Sequence, residues 1–362
     1  MARHRVAVIG ANGFIGNRIV EMLHLGDDHE VCPIVRRASG LALASRFALD
    51  GRVADARDEQ ATAMALQGCD IVVHALSGDR ATILGTLDPV YRAAEKAGCR
   101  RLIYLSTAVV HGQAPDAGTD ETSPLSRKQA VDYNVSKVMA ERRLSVLRKR
   151  GKVELVVLRP GIVYGPRSQW IGGLADDMLA GMAYLVDGGS GMFNGIYVDN
   201  LVDAITRCLD GADTDGQTFL LGEEATPSWH EVYHRLALAM GRDIADIPQL
   251  SFEERRPTLK DRLDALRLSP AVKSVTRSMP RRLQDGLGAF WAAASGSKSA
   301  PPSGPRPTLE MALLHRSPHV PSWEKARRVL GYSPPVAPDE AWRRTIAWLA
   351  FAGYPVVGAQ DA

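Results

Sequence analysis

Hydrophobic residues in this chain come in short, nearly continuous runs, at 6–9, 31–35, 71–75, 102–105 and 155–158, separated by stretches whose apolar positions recur at helical spacing. A continuous apolar run is what a strand buried on both faces needs, whereas a half-solvated strand alternates. Such runs alternating with helices predict βαβ units and a parallel sheet covered on both sides. A helix is predicted over 201–209 and a returning strand over 218–221, so segment 166–195 reads as an excursion lying over whatever the sheet binds. From residue 226 onward the pattern is helical and amphipathic. A stretch rich in Ser, Gly, Pro and Lys at 295–308 has the composition of a flexible loop, and a helical segment at 323–349 is broken by Gly331-Tyr332-Ser333-Pro334.

The first apolar run leads directly into Gly10-Ala11-Asn12-Gly13-Phe14-Ile15-Gly16. Three glycines at spacing three, between a buried strand and a helix, suit a turn in which a dinucleotide pyrophosphate approaches bare backbone at a helix N-terminus. By itself the turn also admits the reading of a plain tight connection. With the strand pattern it predicts an α/β fold: a Rossmann-type doubly wound parallel sheet from 1–165 and 196–224, and a smaller, mostly helical C-terminal substrate domain from 166–195 and 225–362, with a helical insertion at 253–294.

Composition narrows the class. The 362 residues are 45% hydrophobic and 23% charged, enough to bury a large core, and 44 basic against 41 acidic side chains are too balanced to announce a nucleic-acid partner. Cys32, Cys69, Cys99 and Cys208 lack paired spacing, which argues against a disulfide framework or a metal site and fits a reduced, cytoplasmic compartment. No apolar run is long enough to span a bilayer, and the short basic start leaves no room for a signal peptide. In the insertion, Lys273, Arg277, Arg281 and Arg282 precede Leu283, Leu287, Phe290 and Trp291. This basic amphipathic pattern over 270–294 has two readings, contact with an anionic membrane surface or, preferred here, a lid over the site.

Dinucleotide folds place an acidic residue about 20 residues past the glycines, on the adenosine ribose. Here Arg36 and Arg37 follow the second run instead, and forked guanidinium donors suit a 2′-phosphate, so NADP(H) is expected over NAD(H), unless one arginine is only a solvated strand end. Asp55 is a candidate acceptor for the adenine amino group or a turn former. Tyr133 and Lys137 stand one helical turn apart on one face, where a nearby ammonium is expected to lower the phenol pKa from its usual value of about 10. Tyr133 is thus a candidate proton donor and acceptor, and Thr107, just past the fourth long run, is placed to bond a substrate oxygen.

Seven ordered segments resemble the extended short-chain dehydrogenase/reductases, the NAD-dependent epimerase/dehydratase family. They are Gly10-x-x-Gly13-x-x-Gly16, Asp70-Ile71-Val72-Val73-His74-Ala75, residues 105–112 around Ser106-Thr107, Tyr133-x-x-x-Lys137, residues 158–166 around Arg159-Pro160, Tyr197-Val198-Asp199-Asn200-Leu201 and residues 325–332. The resemblance implies Thr107, Tyr133 and Lys137 as catalytic residues and a nicotinamide ribose on Lys137. It also implies Gly10, Asn12, Gly13, Phe14, Ile15, Gly16 and Pro160 against the cofactor, and a homodimer. Nucleotide-sugar members carry an asparagine and an arginine where this chain has Ile162 and Phe193, neither of which donates a side-chain hydrogen bond. The segment around Pro160 looks more like the hydroxysteroid-dehydrogenase and dihydroflavonol-reductase branches, so Ile162, Trp170 and Phe193 are expected to line a pocket for a partly apolar small molecule. The expected activity is interconversion of a secondary alcohol and a ketone. The alternatives are a nucleotide-sugar epimerase, dehydratase or 4-keto reductase, and a non-catalytic NADP-binding scaffold.

Overall fold

The computed structural model describes residues 3–126, 128–253 and 304–357. The expected insertion at 253–294, with its basic face at 270–294, lies outside these apart from residue 253, and so does most of the loop expected at 295–308. Of the described residues, 3–126, 128–250 and 307–357 pack into one compact unit.

That unit is built on a seven-stranded, all-parallel sheet. In spatial order its strands are β10 (Thr218–Leu221), β6 (Glu154–Pro160), β5 (Arg101–Leu105), β4 (Ile71–His74), β1 (Arg5–Ile9), β2 (Glu30–Val35) and β3 (Arg52–Val53). Alternation within each run feeds both faces. Val6 and Val8 enter one hydrophobic cluster with α1 (Phe14–Gly26) and α7 (Val198–Asp210). Ala7 and Ile9 enter another with α2 (Glu59–Ala65), α4 (Leu87–Ala97) and α5 (Asp132–Arg150). Pro33 lies inside β2, yet pairing with β3 begins only at Ile34, so β2 is an edge strand at Pro33 and tolerates the missing donor.

A third cluster lies within 162–247 and 314–349 and is centred on Tyr164, Phe193, Trp229 and Trp342. Two short parallel pairs frame it, β7 (Ile162–Tyr164) with β9 (Gly195–Tyr197), and β8 (Leu185–Val186) with β11 (Gln249–Leu250). The helices α6 (Gln169–Leu179), α8 (Trp229–Ala239), α9 (Leu309–Arg316) and α11 (Pro338–Phe351) cover it. Helix α8 begins at a reciprocal cap in which Ser228 Oγ accepts from Glu231 N at 3.1 Å and Ser228 N donates to Glu231 Oε2 at 2.6 Å.

Candidate active site

The glycine turn is required by contact as well as by torsion. Gly10 has φ of +90°, and a Cβ there would meet Ala75 O at 3.0 Å. At Gly16 a Cβ would stand 2.2 Å from Gly10 O, so the first turn of α1 sits on the loop more closely than any side chain allows. Gly13 is the N-cap of α1, whose first amides are therefore presented toward the space beyond β1. Phe14 and Ile15 turn their side chains into the third and first clusters, leaving their backbone as the part able to face a ligand.

A cleft of about 490 Å³ opens there, lined by Gly10, Asn12, Arg36, Arg37 and Asp55, all singled out in the sequence. The lining also includes Ser39, Arg57 and Ser77, which sequence reasoning missed. Asp55 Oδ1 accepts from Arg57 N at 3.0 Å, and the Arg57 guanidinium reaches Thr82 Oγ1 at 3.0 Å. The Asx turn thus brings a third arginine to the same end of the cleft.

Thr107 lies two residues past the end of β5 and caps the short turn Ala108–His111, its Oγ1 accepting a 3.4 Å contact from Val109 N. Tyr133 is the second residue of α5 and is half-buried, its phenol beside Ser77 of the cleft lining. Lys137, one turn on, is buried and donates to Leu105 O at 2.7 Å and Tyr104 Oη at 3.4 Å. Burial lowers its pKa from 10.5 to about 8, with Glu141 opposing the fall. The expected lowering of the phenol pKa does not occur. Burial pushes Tyr133 above its ordinary value and the neighbouring Ser77 hydroxyl only moderates this, because the Lys137 ammonium is engaged by Leu105 O and lies 5.7 Å from the Tyr133 ring centre.

Pro160 is buried at the end of β6, opposite Leu221. Ile162, Trp170 and Phe193 come together in the third cluster, away from the lining of the large cleft. Phe193 is only 1% exposed and packs edge-on to Trp229. It also lines a smaller cavity of about 190 Å³ with Tyr164, Glu223 and Trp342. Glu223, another residue without a sequence signal, is buried and accepts from Tyr164 Oη at 2.9 Å, Tyr197 N at 2.6 Å and Asn200 Nδ2 at 3.0 Å. No group of metal-ligating side chains occurs among the described residues.

A backbone cradle that only glycine can form, behind the first strand of a parallel sheet and beside a Thr, Tyr and Lys at the ends of β5 and α5, fits a nicotinamide dinucleotide. These features define an NAD(P)-dependent enzyme of the extended short-chain dehydrogenase/reductase type. The chain belongs to the NAD dependent epimerase/dehydratase family, which it matches over residues 6–222. A UDP-glucose 4-epimerase of Vibrio cholerae is 27% identical over 271 residues, covering 67% of this chain and 78% of its own. A 2-alkyl-3-oxoalkanoate reductase of Stenotrophomonas maltophilia is 26% identical over 362 residues, covering 94% and 98%. Among solved structures, a dTDP-glucose 4,6-dehydratase of Streptomyces venezuelae with NAD bound matches the fold with a TM-score of 0.70 at 19% identity, over 96% of this chain and 97% of that one.

Proposed function

We propose that the protein interconverts a secondary alcohol and a ketone on a partly apolar small molecule, using NADP(H) in preference to NAD(H). The observation that carries this reading is the seat of Tyr133, beside Ser77 of the dinucleotide cleft lining with the Lys137 ammonium 5.7 Å from its ring centre. When bound, the nicotinamide supplies or accepts the hydride. In reduction Tyr133 Oη gives its proton to the oxygen of the former carbonyl, and in oxidation it removes the alcohol proton. Thr107 Oγ1 orients that oxygen. Lys137, charged below a pH of about 8, is the donor for the ribose hydroxyls.

The cofactor preference is supported by Arg36 and Arg37 on the cleft wall, with Arg57 and Ser39 beside them. The apolar substrate is supported by Ile162 and Phe193 at positions where a diphosphate would want donors, and by the near full-length likeness to a reductase of 2-alkyl-3-oxoalkanoates. A nucleotide-sugar epimerase is the second reading, favoured by the likeness to the Vibrio cholerae enzyme. The reading carries with it a cytoplasmic location and a homodimer, the latter checked by sedimentation velocity.

A screen of NADPH oxidation decides between the two. Net oxidation with 2-alkyl-3-oxo esters, lost in Tyr133→Phe while NADPH binding persists, supports the reductase. Interconversion of UDP-glucose and UDP-galactose without net cofactor turnover replaces it with the epimerase.

A further inference from the structure

Behind the Thr107, Tyr133 and Lys137 set lies a buried polar assembly that the chemistry above does not use. Glu141, Arg159 and Ser106 are 7%, 5% and 5% exposed. Arg159 grips the Glu141 carboxylate with both arms of its fork, Nε to Oε1 at 3.0 Å and Nη2 to Oε2 at 2.6 Å. Ser106 Oγ donates to the same Oε1. The remaining arm of Arg159 reaches His111 Nε2 at 3.0 Å and Glu121 O at 3.2 Å.

Each member borders a residue assigned to the reaction. Ser106 precedes Thr107, and its amide donates to Leu158 O at 2.7 Å, tying the ends of β5 and β6. His111 closes the short turn that Thr107 caps. Glu141 follows Lys137 by four residues and Tyr133 by eight, so the three share one face of α5. The Lys137 ammonium bonds Leu105 O, the residue just before Ser106. Helix α5 is therefore pinned to β5 at two successive turns, by Lys137 to Leu105 and by Glu141 to Ser106.

We propose that Glu141 is a positioning residue, locked by Arg159 and Ser106 so that α5 holds a single register on β5 and Tyr133 and Lys137 stand at a fixed offset from Thr107. The inference rests on the reading that these three residues carry the reaction. Stability alone does not require such a pair, since apolar residues of similar volume commonly serve a buried site as well or better. A carboxylate with three converging donors does what packing cannot, because it accepts one register and rejects the others. Glu141 also faces the Lys137 charge. The other groups facing that ammonium are Tyr104 from β5, His74 from β4, held neutral because burial takes its pKa to about 3, and Tyr133 from α5 itself. Among them Glu141 is the one carboxylate.

The test compares Glu141→Gln with the charge-free pair Glu141→Leu/Arg159→Met in the full-length protein. Turnover is followed with NADPH and ethyl 2-methylacetoacetate, and the Lys137 titration by NMR of protein labelled with 13C at lysine Cε, assigned with Lys137→Arg. Positioning predicts that the charge-free pair folds with near-native Tm yet loses at least about tenfold in kcat. It also predicts that the Lys137 midpoint in Glu141→Gln falls by about one pH unit. Native kcat in the charge-free pair would reduce the assembly to ordinary core packing and overturn the proposal. Should Glu141→Gln fail to fold, the charge-free pair carries the titration. If the wild type reduces no 3-oxo ester, the reading of the reaction fails by itself, and the Lys137 midpoint still decides for or against Glu141: an unmoved midpoint refutes its hold on the lysine.

Discussion

Replacing Lys137 by methionine removes a buried ammonium while keeping most of its volume, and its effect on stability should depend on pH. Burial lowers the lysine pKa from 10.5 to about 8 in the folded protein. The folded state therefore releases this proton at lower pH than the unfolded chain does. The resulting cost is complete below pH 8 and fades as pH rises toward the unfolded value. Linkage makes it about 3 kcal/mol at pH 7 and about 1 kcal/mol at pH 9.5. The substitution also strips a donor from Leu105 O and Tyr104 Oη, a loss of about 1–3 kcal/mol that does not vary with pH. Lys137→Met should thus be neutral to modestly stabilising at pH 7, and its stability relative to wild type should fall by about 2 kcal/mol on going to pH 9.5. Equilibrium urea unfolding of both proteins at the two pH values, compared at equal m, measures this. A wild-type-to-mutant difference that stays within about 0.5 kcal/mol between them would refute the argument that desolvation governs this lysine.

Gly16→Ala should weaken dinucleotide binding by about two orders of magnitude, because the new methyl lands 2.2 Å from Gly10 O and must push α1 off the turn; calorimetric titration with NADPH reads it. Arg36→Ala with Arg37→Ala should raise the Kd for NADPH by about tenfold or more while changing that for NADH little, and equal losses for both would sink the 2′-phosphate assignment. Glu223→Ala should cost about 2–4 kcal/mol in urea unfolding, since it orphans Tyr197 N and Tyr164 Oη in a buried setting.

Much of the frame was legible in the sequence. The runs at 6–9, 31–35, 71–75, 102–105, 155–158 and 218–221 all became sheet strands, because a continuous apolar run has no other stable home beside helices of matching period. The pairs β7 with β9 and β8 with β11 went unseen, since two or three residues carry no periodic signal. Arg36 and Arg37 were found because a strand end is a local address, and they line the cleft. Arg57 was missed although it lines the same cleft two residues after Asp55, because nothing in its neighbours announces a ligand.

Sequence by itself determined the strands and the glycine turn and singled out Thr107, Tyr133 and Lys137 as candidates, since torsion, turn chemistry and spacing are read within a few residues. Only the tertiary structure decided how those residues are tuned. The spacing of Tyr133 and Lys137 suggested an ammonium acting on a phenol, yet burial raises the phenol and Leu105 O holds the ammonium. Glu141 meets Ser106 from 35 residues away and Arg159 from 18, and Phe193 packs edge-on to Trp229. Desolvation and long-range partner choice arise from which elements pack together, and no local pattern along the chain records that.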